Sequence, residues 1–88
     1  MKTIWMLMAM YDGKVIVPAA QVAADFFPHL STEKFVRKVD AGEIDIPLIR
    51  IEDSSKAARG VDLRDLAAYL DKRRDSAVDV TDKIHGRR

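Results

Sequence analysis

The residues best placed to do chemistry lie between Thr32 and Ala41. At about 100° per residue, a helix here turns Phe35, Val36 and Val39 to one side and Lys34, Arg37, Lys38 and Ala41 to the other. Glu33 and Asp40 fall at the border. Cations grouped around a small residue on an exposed helical face suit entry into a DNA major groove, where an Arg fork reads guanine and Lys neutralises phosphate. An ordinary solvated face has the same composition, so the neighbouring segments carry weight. Ser31 is positioned to cap this helix and Thr32 to open it, which adds two hydroxyls at the same end. A second basic feature follows later, where Lys56 and Arg59 flank Ala57-Ala58 and are preceded by Ser54-Ser55. Small residues permit close approach to a phosphate backbone, and the serines can donate to it. The predicted DNA-contact set is Ser31, Thr32, Lys34, Arg37, Lys38, Ser54, Ser55, Lys56 and Arg59.

Other chemistry finds few parts. His29 and His85 are far apart in sequence and form no ligand cluster; a histidine before a helix start most simply closes a turn. Asp62 and Asp65 read as the acidic first turn of a helix, not as an acid/base pair. Lys72-Arg73-Arg74 reads as the basic end of that helix, favourable to its dipole. The absence of cysteine excludes a disulfide framework, a thiolate nucleophile and a Cys-type zinc site. No Gly-rich phosphate loop or nucleophile elbow is present. The expectation is a chain that is not an enzyme and uses no cofactor or metal.

These side chains need a scaffold, and 88 residues provide one small domain with a thin core. A net charge of +1 excludes a basic tail protein or an acidic mimic, so electrostatic function depends on where the charges sit. Punctuation by Gly13, Pro18, Pro28, Gly42, Pro47 and Gly60 divides the chain into short elements. Residues 3–11 read as a helix with Thr3 as N-cap. Val15–Val17 reads as a strand stub, and Pro18 as the first residue of a helix running to Phe27. After His29-Leu30-Ser31 comes the helix Thr32–Ala41, stopped by Gly42. Ile46–Ile51 reads as an edge strand because of Pro47, and Val61 as a return strand. Asp62 caps a helix from Leu63 to about Arg74, burying Leu63, Leu66, Ala67 and Leu70. Residues 75–88 read as a disordered tail.

Two short helices, a basic hairpin and a closing helix are the parts of an α+β winged helix-turn-helix over residues 1–74. Several runs resemble the pyocin activator protein PrtN family: Leu7–Gly13 with Ile16-Val17-Pro18, Phe35–Ile44, Ile46–Ile51, Ser54–Val61 and Asp65–Arg74. They occur in order across residues 3 to 74. Ser55 departs from the pattern, standing where the family leads one to expect glutamine. The resemblance implies a bacterial transcription activator acting on promoter elements of phage-tail-like bacteriocin or prophage genes. Double-stranded DNA and RNA polymerase are then the expected partners. The layout is also similar to the small winged-helix excisionases of phage, which bend DNA. A third reading is a protein-binding adaptor or antirepressor working through its apolar N-terminal helix.

That helix raises an expectation of its own. Three of the four methionines and the only tryptophan fall in residues 3–11. Ile4, Leu7, Met8 and Tyr11 form the stripe expected to face the core, near Leu66 and Leu70. Trp5, Met6 and Met10 are left for a second protomer, implying a homodimer or cooperative assembly on DNA. The apolar run Ile4–Met10 is too short to cross a bilayer and lacks a clear cleavage site, so a cytoplasmic, nucleoid-associated protein is expected.

Overall fold

Pro18 and Asp62 each close a strand and open a helix, and the architecture turns on these two joints. In a computed structural model, which describes residues 2–53 and 58–87, the elements run α1 (Thr3–Met10), β1 (Ile16–Pro18), α2 (Ala19–Phe26), α3 (Thr32–Asp40), β2 (Ile49–Arg50), β3 (Arg59–Asp62) and α4 (Leu63–Ile84). Among the described residues this is a small α+β fold of four helices and one antiparallel sheet in the order β1-β3-β2. β3 is central. Val17 stands opposite Val61 on one side of it, and Ile49 opposite Gly60 on the other. Pro18 sits on an edge strand and Pro47 just ahead of the other edge strand, where a missing N–H costs no ladder bond.

Gly60 is required by close packing. A Cβ built on it would stand 2.6 Å from Ile16 Cγ2 and 3.3 Å from the Val17 carbonyl oxygen. The chain then turns at Asp62, whose carboxylate accepts from the Arg64 N–H at 2.8 Å and from the Arg64 guanidinium at 2.7 Å. That bonding, above all from the Arg64 side chain, holds the Asp62 carboxyl below its ordinary pKa. Leu63 N–H donates to the Val15 carbonyl at 3.0 Å, fastening the helix start to the entry of β1.

The core lies between the sheet and the helices. Val17 and Val61 enter it from the sheet, Val22 from α2, Phe35 from α3, and Leu63 and Leu66 from α4. Each such side chain contributes about 1.5–3 kcal/mol on burial. The Phe27 ring lies 5.0 Å from that of Phe35 and 6.0 Å from that of Tyr69, joining the α2 terminus to α3 and α4. α1 packs on α4, with Leu7 and Tyr11 buried and Ile4 half-buried.

Several expectations require correction. The chain from Asp75 does not fray at once: α4 runs to Ile84, sustained by an Asp79–Lys83 pair at 3.2 Å one turn apart and by the absence of Gly or Pro before Gly86. Lys72-Arg73-Arg74 therefore lie inside the helix and not at its end; Lys83 occupies the last turn. The strand expected over residues 46–51 shrinks to Ile49–Arg50. Ile46 is nonetheless buried, because an irregular approach delivers it to the core around Pro47. α2 starts at Ala19, with Pro18 as its cap residue. Thr3 does not cap α1; it is the first helical residue, and its hydroxyl bonds Asp71 on α4. Met8 is 45% exposed and belongs with the outward set, not the core stripe.

Candidate functional site

α3 is held in place at both ends by its own sequence. Ser31 Oγ accepts from the Lys34 N–H at 3.2 Å, the expected cap, and Glu33 occupies the acidic first turn. At the other end Ala41 leads into Gly42 at φ +78°, a left-handed turn that glycine adopts without steric cost. Glu43 N–H reaches back to the Lys38 carbonyl at 2.9 Å, and Gly42 N–H to the Val39 carbonyl at 3.0 Å. This pair of reversed bonds is the Schellman ending, in which the first and last residues of the motif commonly touch. Here they are Lys38 and Glu43, whose charged ends meet at 3.8 Å.

The face of α3 away from the core is basic. Phe35 is wholly buried, and Val36 and Val39 are half-buried beside it. Lys34 and Arg37 are exposed, and neither forms an ion pair with a described residue. Thr32 is exposed on the first turn. Lys38 shares this face but is partly engaged by Glu43. The exposed arc expected from the helical wheel is present, with Lys34 and Arg37 as its cations without an ion pair among the described residues.

The second basic feature is arranged differently from the expectation. Arg59 is the first residue of β3, and its two terminal nitrogens each donate to a carboxylate oxygen of Asp40 at 3.0 Å. Arg59 thereby ties the sheet to the end of α3 instead of projecting freely. Ser54, Ser55 and Lys56 lie outside the described residues.

Arg50 escaped the sequence reading. On β2 it stands directly opposite Arg59, and like charges in that position repel. Asp40 relieves the repulsion. Its carboxyl is held below the ordinary range chiefly by the hydrogen bonds from Arg59, which outweigh the opposing effect of burial, with smaller contributions from the charges of Arg59 and Arg50. Strand alternation was the available signal for Arg50, with Ile49 turned inward and Arg50 outward.

Trp5, Met6 and Met10 are 60%, 57% and 52% exposed, as the α1 wheel requires. His29 stands near Phe27, with ring centroids 6.4 Å apart. Among the described residues no group of three or more His, Cys, Asp or Glu side chains is arranged to hold a metal ion. No helix among them is long and apolar enough to cross a membrane.

A family model described as pyocin activator protein PrtN matches residues 3–77. The chain belongs to the PrtN family. The match spans every element from α1 to the first two-thirds of α4, so the basic face of α3, the Arg59–Asp40 tie and the exposed side of α1 all lie within it. The likeness carried by the runs from Leu7 to Arg74 is thus a family relationship, and it continues three residues past Arg74. Neither the curated proteins nor the solved structures contain a significant match to this PrtN-family chain.

Proposed function

We propose that this PrtN-family chain activates transcription of pyocin-type genes by binding DNA as a winged helix-turn-helix. In this reading α2 and α3 are the helix pair, α3 enters the major groove, and the β2–β3 hairpin is the wing. The observation that carries it is the pair Lys34 and Arg37, exposed on the side of α3 opposite the buried Phe35 and unpaired among the described residues. Buried Phe35 fixes the roll of the helix, so the two cations point outward together.

The roles divide by chemistry. Arg37 has the planar fork to donate to the two acceptors of a guanine edge, whereas Lys34 and Lys38 act as point charges on phosphate. Ser31 and Thr32 bring hydroxyls to the amino end of α3, where the helix dipole also favours an anion. Ser54, Ser55 and Lys56, between β2 and β3 in sequence, are assigned to the flanking backbone. Arg59 is a positioning residue that sets the hairpin against α3 through Asp40.

A net charge of +1 gives one copy little general attraction for DNA, so regulation calls for several copies on spaced half-sites. Activation then follows from contact between the bound protein and RNA polymerase. Fluorescence anisotropy with DNA from upstream of the gene cluster, in a salt series, tests the reading. About three phosphate contacts per protomer, from Lys34, Lys38 and Lys56, predict a slope near −0.9 for each in log affinity against log salt. Absence of DNA binding at low salt overturns it in favour of a protein-binding adaptor.

A further inference from the structure

α1 is uncharged from Thr3 to Met10, yet only one side of it faces its own fold. Leu7 and Tyr11 are buried against α4 and the core, and Ile4 is half-buried beside them. The remaining arc carries Trp5, Met6, Ala9 and Met10, with Met8 at its shoulder, and all five are exposed. Half-exposed side chains of this size present roughly 400 Å² of contiguous apolar surface, the size of the largest patch on a typical monomer, which is often a functional one.

The two ends of this helix differ in sign. Exposed Lys2 precedes it, with its ammonium 5.7 Å from the centre of the Trp5 ring. Exposed Asp12 follows it, held at φ +55° by the turn that ends the helix. A second copy of the same helix laid antiparallel brings Lys2 to the partner's Asp12 at both ends, and it opposes the helix dipoles favourably. A parallel arrangement sets Lys2 against Lys2 and Asp12 against Asp12.

We propose that two copies of this chain pair through α1, antiparallel about a two-fold axis, with Trp5 of each against the partner's Met10. This register sets Met6 opposite the partner's Ala9, whose small side chain lets the helices approach closely, and leaves Lys2 beside the partner's Asp12. The Trp5–Met10 contact is a sulfur–aromatic one, suited to a flexible thioether on a large ring. Such a patch, doubled, buries on the order of 800–1,000 Å², below the roughly 1,200 Å² of stable specific interfaces and within the range of transient association. The dimer is therefore a weak, reversible one. It does not depend on the DNA-binding reading, since it rests on α1 alone.

Sedimentation of the full chain, from low to high micromolar concentration, tests the pairing. A concentration-dependent dimer is expected. Trp5→Ala weakens it at least tenfold, and Lys2→Glu weakens it in a manner that added salt abolishes. Circular dichroism on both variants checks that they fold, as expected for exposed positions. The chain has no cysteine, so orientation can be read directly by cross-linking. An equimolar mixture of Met6→Cys and Ala9→Cys chains, oxidised together, yields the mixed disulfide in preference to either homodimer. A wild type monomeric throughout the range, or a Met6→Cys chain that cross-links chiefly to itself, overturns the proposal.

Discussion

Arg59 on β3 grips Asp40, the last residue of α3, with both terminal guanidinium nitrogens at 3.0 Å. The pair joins residues nineteen apart and sets the angle between the basic helix and the sheet. It also sets a carboxylate within the influence of Arg50, the directly opposed neighbour of Arg59 on β2. One carboxylate thus serves two arginines, and the hairpin tolerates both.

Replacing Asp40 by Asn keeps the shape and removes the charge. Arg50 and Arg59 then face each other without a counter-ion, so the variant melts at lower temperature in low salt and recovers part of the loss in high salt. Melting curves at two ionic strengths check this. A variant as stable as wild type in low salt contradicts the role given to Asp40. In wild type the low carboxyl pKa means that the pair's contribution is complete above the ordinary aspartate value of 3.8 and is lost as pH falls through the lower folded-state value. A carboxyl titration followed by NMR should therefore place Asp40 below 3.8.

Arg37 and Lys34 separate base reading from phosphate binding. Arg37→Ala is expected to cost about 1–3 kcal/mol on the cognate sequence and little on a scrambled one. Lys34→Ala should weaken both alike and reduce the magnitude of the salt slope by about 1. Binding measured on the two DNAs distinguishes them, and equal losses for Arg37→Ala remove it from the base-reading role.

Gly60→Ala places a methyl group 2.6 Å from Ile16 Cγ2, so β1 or its side chain must yield. The overpacking costs about 1–3 kcal/mol, more than the roughly 0.5–1 kcal/mol that replacing a glycine returns. Urea denaturation should show a lower midpoint at an unchanged slope. A midpoint at or above wild type rules out the close packing of β1 on β3.

Tyr11 donates its phenol to Asp25 at 2.6 Å, and burial first, then that bond and the aspartate charge, push its pKa well above the usual value of 10.0. The folded state therefore keeps a proton that the unfolded chain gives up. Stability should be unaffected by this group below pH 10 and fall as pH rises beyond it. Tyr11→Phe removes that alkaline loss. Absorbance at 295 nm in a Tyr69→Phe background should record the late titration of Tyr11 directly.

What was legible in the sequence was local. Ser31, Gly42 and Asp62 announced their helix ends because a cap is made by residues within three or four positions. Phe35, Leu63 and Leu66 announced the core because helical periodicity alone turns them inward. The exposed arc of α3 followed from the same geometry. The Asp40–Arg59 pair did not, since it depends on a sheet whose strands are only two and four residues long. Pro47 stood in an apolar run that alternation reads as strand, but Ile46 reaches the core without a ladder. Past Arg74, α4 lacked the apolar periodicity used to recognise a helix because that part has no core to face.

That last point gives α4 a divided character. Lys72, paired with Asp45 at 3.0 Å, stands where the helix leaves the globule. Later ion pairs such as Arg74–Asp75, Asp79–Lys83 and Asp82–Arg87 join near neighbours in sequence. From Arg73 to Ile84, at about 1.5 Å per residue, the helix projects roughly 18 Å, which accounts for much of a long axis of 51 Å against 28 and 20 Å. A free helix this short is marginal in water, so it opens and closes at a free energy far below that of whole-chain unfolding. Its amide protons exchange quickly, whereas those around Leu66 wait for the fold to open. One unbroken helix thus carries two lifetimes, with the boundary close to Lys72.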